Sequence, residues 1–230
     1  MRGSKIFSKV DLNRAYWQIS MNKEDIKKTA VITPFGLFES IKMPNGLKTA
    51  AQTFQRFIDN LLRGLDFVYA YIDDICVFSD CEEQHEHPLR QLLARLDEAG
   101  LTINVAKCEY SKSEVDFLGY NISQGGIAPK IKKVQAILDY PPPKDMHGLR
   151  RFSRMTNFYR RCIPQAAQTM AVLHDMTKWS KKKDKTPISF NEVQLQSFES
   201  TKAKLANAAM IAHPDDLNVI LATDASDFAI

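Results

Sequence analysis

Two aspartates set into an otherwise apolar run constrain this chain more than any other stretch: Tyr69-Ala70-Tyr71-Ile72-Asp73-Asp74-Ile75-Cys76-Val77-Phe78. The flanks are aromatic and β-branched, so each predicts a short strand, with the acidic pair at the tip of a hairpin. Two carboxylates on a rigid tip are costly unless a cation or a hydrogen-bond network balances them. On its own the dipeptide reads more often as a plain turn than as half of a divalent-metal site, because acidic residues are common in turns. A second stretch shifts that balance. Lys5 to Val10 is another apolar strand, and it too ends in an aspartate, Asp11. Phosphoryl transfer by two Mg²⁺ ions needs carboxylates from separate elements converging on ions about 3.5–4 Å apart. Asp11, Asp73 and Asp74 supply such a set.

The motifs around these acids resemble those of reverse transcriptases, in the same order. Asp11 with Tyr16 resembles motif A, and Met43 to Gln55 (MPNGLKTAAQTFQ) resembles motif B. Tyr71-Ile72-Asp73-Asp74 resembles motif C, and Phe117-Leu118-Gly119-Tyr120 resembles the primer grip. The nearest likeness is to the polymerase polyprotein of gypsy-type LTR retrotransposons, from about Lys5 to the last residue. It implies an intracellular protein, cytoplasmic in a retrotransposon particle or nuclear, and part of a larger polyprotein.

The bulk properties agree. With 230 residues, 44% hydrophobic and 25% charged, the chain has material for one or two globular domains. Its net charge of +4 suits a polyanionic partner without demanding one. Cys76, Cys81, Cys108 and Cys162 have no paired spacing, which argues against a disulfide framework or a zinc site. His85 and His87 lack further ligands nearby and read as a polar helix start. No apolar run reaches membrane-spanning length, so no membrane partner is expected, and Met1 to Ser4 reads as a ragged start.

Along the chain the pattern predicts an α+β fold. The segment after Asp11 turns sharply out of its strand through Gln18. Residues 29–33 and 37–41 form a hairpin around Pro34-Phe35-Gly36. Ala50, Phe54, Phe57, Ile58 and Leu61 mark a helix ended by Gly64, and Leu89, Leu92, Leu93 and Leu96 mark another from about Glu83 to Ala99. Leu101 to Val105 reads as a strand, and so does Val115 to Ile122. Pro129 opens a helix that Pro141 to Pro143 ends; Asp145 caps the next, whose apolar face is Leu149, Phe152, Met155 and Tyr159. Lys178 to Lys185 is a lysine-rich linker around Trp179, a helix spans Phe190 to Ala208, and Val219 to Ser226 is a strand carrying Asp224.

The resemblance divides this order into a palm over 1–126, an antiparallel sheet with helices on one face and the fingers largely missing. A helical thumb follows over 127–178, then a connection and the first strand of a ribonuclease H-like domain over 179–230. It assigns Asp11, Asp73 and Asp74 as catalytic and, with the Leu12 carbonyl, as ligands of two Mg²⁺ ions. Tyr16 would exclude a ribose 2′-hydroxyl, and Asn45 and Gly46 would flank the incoming dNTP, Gly46 permitting close approach. Phe117, Leu118, Gly119 and Tyr120 would hold the primer end of an RNA or DNA template-primer duplex. Arg150, Arg151, Arg154, Arg160 and Arg161 would meet duplex phosphates, and Lys107 would lie near the triphosphate. Gln52 and Gln55 are open between template and helix neighbours. Asp224 would be the first ribonuclease H acid, but one acid cannot hold two metals, so no nuclease activity is expected.

Two departures matter. Asn45 stands where gypsy-type elements usually have an aromatic residue. The family's fingers strands, with the basic residues that clamp the triphosphate, precede motif A, so this chain alone is expected to have low or no polymerase activity. A different reading is therefore a non-enzymatic nucleic-acid-binding remnant. An RNA-synthesising palm polymerase is disfavoured by Tyr16.

Overall fold

The computed structural model describes residues 1, 3–181, 183–208 and 211. The predicted strand 219–226, with Asp224, lies outside them. Contacts divide the chain into two compact units. The first holds residues 3–118 and 122–124, and the second holds residues 119–121 and the described residues from 125 onward.

In the first unit, β1 (Ile6–Asp11) leads into a short helix α1 (Ala15–Gln18). The sharp exit from the strand is made by Arg14, which takes the left-handed conformation at φ 48°. Strands β2 (Val31–Thr33) and β3 (Gly36–Phe38) form the expected hairpin, and its Val31, Ile32, Phe35, Leu37 and Phe38 are exposed. Helix α2 (Ala50–Leu61) follows, then β4 (Val68–Tyr71), β5 (Asp74–Ser79) and α3 (Glu82–Glu98). Next come β6 (Glu109–Lys112) and β7 (Glu114–Phe117). The main sheet runs β4-β5-β1-β6, with each neighbouring pair antiparallel. Alternation along β1 and β5 places Val10, Ile75 and Val77 in one core with Phe54 and Ile58 of α2 and Leu92 and Leu96 of α3. Burying each such side chain contributes about 1.5–3 kcal/mol.

Two sequence expectations change here. Leu101 to Val105 is not a regular strand. Ile103 makes an isolated bridge to Leu12, and a 3₁₀ turn, Val105–Lys107, follows. Val115 to Ile122 is two strands, β7 and then β8 (Tyr120–Ser123), because Leu118 and Gly119 both take positive φ, 49° and 85°, and reverse the chain. Strand β9 (Gly126–Pro129) follows. His85 also differs from a polar helix start. It is buried, and its Nε2 and Nδ1 lie 2.7 Å from Ser8 Oγ and 2.6 Å from Ser79 Oγ.

The second unit is helical: α4 (Ile131–Leu138), α5 (Met146–Phe158), α6 (Ala166–Thr177) and α7 (Glu192–Ala206). Asp145 caps α5 as expected, accepting from Gly148 N at 2.7 Å. Asn191 and Gln194 form a reciprocal capping box at α7. Leu149 and Phe152 of α5, Leu173 of α6 and Phe198 of α7 share one core, with the Phe152 and Phe198 rings 4.4 Å apart. All four cysteines are free thiols. Among the described residues no helix is long and apolar enough to cross a membrane.

Candidate active site

The site lies in the first unit, where β1 ends beside the β4–β5 turn. The turn consists of Ile72 and Asp73 alone, with Tyr71 opposite Asp74. A β-branched residue seldom adopts positive φ, yet Ile72 sits at φ 54°. Such a conformation persists only when its surroundings over-determine it. Gln55 of α2 does this with one amide. Its Oε1 accepts from Ile72 N at 2.8 Å, and its Nε2 donates to Ala70 O at 3.2 Å and to Asp59 at 2.8 Å. Gln55 is thus engaged by the turn and by Asp59, while Gln52 is exposed. Gln55→Leu strips a partly buried N–H of its partner, and we expect it to cost about 1–3 kcal/mol in urea unfolding. Loss of less than 0.5 kcal/mol would remove the clamp from this account.

Register places Asp11 directly opposite Asp74 across β1 and β5. Like charges so placed repel, and two lysines offset them. Lys9 Nζ lies 3.2 Å from Asp74 Oδ1, and Lys107 Nζ lies 3.6 Å from Asp11 Oδ1. Asp73 belongs to neither pair. Its carboxyl is pushed above its ordinary value, first by desolvation and then by the Asp74 and Asp11 charges, with its own backbone hydrogen bond and Lys107 opposing. Asp11 is 7% exposed. Its backbone is held on both sides: Asn104 N donates to Asp11 O at 2.7 Å, and Asp11 N donates to Cys108 Sγ at 3.4 Å. The segment expected to be a plain strand is thus a cradle for Asp11, and sequence periodicity carried no signal for it.

A cleft of about 420 Å³ opens here, lined by Arg14, Ala15, Tyr16, Trp17, Asn45, Ile72 and Asp73. Tyr16 leans edge-on against Phe54, with centroids 5.7 Å apart. Its phenol is raised by burial and by the nearby Asp73 charge. The Tyr16 helix is tied down by Gln18, whose Oε1 accepts from Thr102 N at 2.7 Å and whose Nε2 donates to Asn13 O at 2.6 Å. Gly46 stands at φ 97°, a backbone conformation that favours glycine, with open space where a Cβ would be. Leu12 N donates to Asp73 O at 3.0 Å. Among the described residues no group of three or more His, Cys, Asp or Glu side chains is close enough to share an ion.

The remaining expected site residues are distributed. Phe117 packs edge-on against Tyr69 in the first unit, to which Leu118 also belongs. Gly119 and Tyr120 belong to the second. There Tyr159 Oη donates to Gly119 O at 3.1 Å, and Tyr120 stacks on Phe158 while donating to its carbonyl at 2.8 Å. Arg150, Arg154 and Arg160 line one groove of the second unit. Arg151 stands apart over the Tyr140 ring, 6.0 Å from its centroid, and Arg161 is exposed on the far side of Arg160 in sequence.

Comparison with known proteins is consistent with this geometry. Residues 1–122 match the family model described as Reverse transcriptase (RNA-dependent DNA polymerase). The chain is 39% identical over 236 aligned positions to the Retrovirus-related Pol polyprotein from transposon opus of Drosophila melanogaster, covering 99% of this chain and 24% of that protein. It is 36% identical to the Transposon Tf2-3 polyprotein of Schizosaccharomyces pombe, covering 100% of this chain and 17% of that protein. The chain therefore spans about a quarter or less of the length of these relatives. A foamy viral protease-reverse transcriptase solved in complex with double-stranded DNA superposes with a TM-score of 0.85 at 21% identity, over 94% of this chain and 38% of that one. The same viral protein with an RNA/DNA hybrid superposes with a TM-score of 0.82 at 21% identity, over 93% and 29%. The fold is that of these enzymes, and the match over residues 1–122 places the chain in the reverse transcriptase (RNA-dependent DNA polymerase) family.

Proposed function

We propose that the cleft at Asp11, Asp73 and Asp74 carries out RNA-directed DNA synthesis, as part of a longer retrotransposon polyprotein in an intracellular particle. The reaction is attack of a primer 3′-hydroxyl on the α-phosphate of a dNTP, with release of pyrophosphate. One observation carries the reading: Asp11 at the end of β1, Asp74 opposite it at the start of β5 and Asp73 in the adjoining turn gather at one end of a sheet, and Asp73 is raised first by desolvation and then by the Asp74 and Asp11 charges. Asp11 and Asp73, with the Leu12 carbonyl, form an all-oxygen donor set suited to Mg²⁺. Two such ions, when bound, activate the hydroxyl and neutralise charge on the phosphates. Lys107 is 65% exposed at its side chain and loosely paired, so it is free to swing from Asp11 to a triphosphate. Lys9 keeps Asp74 oriented.

Tyr16 and Asn45 shape the nucleotide side of the cleft. Tyr16, backed by the buried Phe54 ring, would meet a ribose 2′-hydroxyl and exclude it sterically. Tyr16→Ala is expected to raise incorporation of ribonucleotides relative to deoxyribonucleotides by about 10–100-fold. An unchanged ratio in single-nucleotide extension would remove Tyr16 from that role. Phe117 to Tyr120 would hold the primer end, and the arginine-lined groove would hold backbone phosphates.

The direct test is primer extension on an RNA template with Mg²⁺. Extension that stops on chelation supports the proposal. Absence of extension with salt-dependent duplex binding intact would leave nucleic-acid binding as the function.

A further inference from the structure

The groove of the second unit has about 490 Å³ of space between α5 and α6. Arg150, Arg154, Arg160 and His174 line it, and none of its lining residues is acidic. Ser153 Oγ, also in the lining, is buried and meets no hydrogen-bond partner. A buried hydroxyl without a partner is costly. Arg150 is pre-set: its Nε donates to Ser180 Oγ at 2.6 Å and its Nη2 to Thr177 O at 3.3 Å.

These bonds also fix a turn. Ser180 N donates to Thr177 O at 3.2 Å, closing residues 177–180 at the end of α6. Trp179 stands at its tip, 88% exposed. The Lys178 ammonium lies 5.6 Å from the centroid of the indole, and Lys181, Lys183 and Lys185 follow in the chain. Asp184, the carboxylate within this loop, is already engaged by Thr186 N at 2.9 Å and Thr186 Oγ1 at 2.5 Å. A basic groove with Arg150 fixed in it thus continues into a cation-flanked, uncovered aromatic plane. Phosphates satisfy the groove, and a base π-face satisfies the indole. A duplex keeps its bases stacked inside and has none to offer.

We propose that the groove and the 177–180 turn bind single-stranded nucleic acid, with phosphates in the groove and one unpaired base stacked on Trp179. This rests on the nucleic-acid reading above and adds the kind of strand and the base contact.

The test is fluorescence anisotropy with three labelled probes: an oligothymidylate, the same strand with abasic sites, and a blunt RNA–DNA duplex. Trp179→Ala is expected to weaken oligothymidylate binding about tenfold, with Trp179→Phe close to the parent. The abasic strand and the blunt duplex should be unaffected by Trp179→Ala. Arg154→Gln with Arg160→Gln should weaken both strands and flatten the log–log salt slope for oligothymidylate by about 1.4. Unchanged oligothymidylate affinity in Trp179→Ala, with duplex still bound, would overturn the inference alone. Equal weakening for the abasic strand would overturn it too, since no base would then be involved. Failure of the parent chain to bind any probe would overturn the nucleic-acid reading along with it.

Discussion

Asp73→Asn is expected to abolish nucleotide transfer while raising the thermal midpoint of the fold. The two effects have one cause. Among the described residues Asp73 is the acid of the three that forms no ion pair with a lysine, and its pKa is raised, first by desolvation and then by Asp74 and Asp11, with Lys107 opposing. A carboxyl whose folded pKa exceeds its unfolded value favours the folded state when protonated. Its charge therefore costs stability above the folded pKa, and that cost disappears as pH falls through it. Asparagine keeps the shape and removes the charge, so folding becomes easier and less dependent on pH just above the ordinary carboxylate range. Transfer loses an oxygen donor worth several kcal/mol of charge stabilisation, which is on the order of a thousandfold in rate. Mg²⁺ should stabilise the parent by mass action and leave Asp73→Asn nearly unmoved. Thermal melts with and without Mg²⁺, beside primer extension, check both halves. A variant that is less stable than the parent, or one that extends primers normally, would refute the assignment.

The largest stability effect is expected at Phe54→Ala. Phe54 is fully buried on α2, edge-on to Tyr16 and tilted against Phe57 with centroids 6.1 Å apart. Removing a buried phenyl ring costs about 3–5 kcal/mol in lost transfer energy and cavity. That is a large share of the roughly 5–15 kcal/mol that holds a typical domain together. Phe35→Ala, at a side chain 91% exposed, should change stability by less than about 0.5 kcal/mol. Urea midpoints for the two variants give the comparison, and equal shifts would contradict the packing described. Because Phe54 also backs Tyr16, any folded Phe54→Ala enzyme should admit ribonucleotides more readily.

The parts of the fold legible in the sequence were those with a strong period or a punctuating residue. The β4–β5 hairpin announced itself by apolar flanks around two acids, α2 by its helical spacing, and the α5 cap by Asp145. What stayed hidden depended on partners distant in sequence. The reversal at Leu118-Gly119 puts a leucine at positive φ, for which no residue-type signal exists. Helix α6 buries Ala166, Met170 and Leu173, a usable helical spacing, but Gln165 before it offers no side-chain cap. Gln55 and Gln18 are ordinary amides until the backbone groups they bridge are known, because an amide both donates and accepts and suits almost any neighbour. The five arginines looked like one basic face; Arg150 and Arg154 of α5 and Arg160 of the 3₁₀ turn after it line the groove, and Arg151 lies over Tyr140.

The β2–β3 hairpin has a practical bearing on how such a chain behaves in a tube. Two strands of three residues each, with both outer edges unpaired and Ile32 and Phe35 standing in solvent, form an adhesive ribbon. Any covering, from another polypeptide or from detergent, lowers the free energy of that ribbon. Purification yield, tolerated concentration and shelf life are therefore expected to depend on these few residues, none of which lines the cleft. A lysine at position 32 or 35 is the economical way to make the protein tractable without touching the cleft.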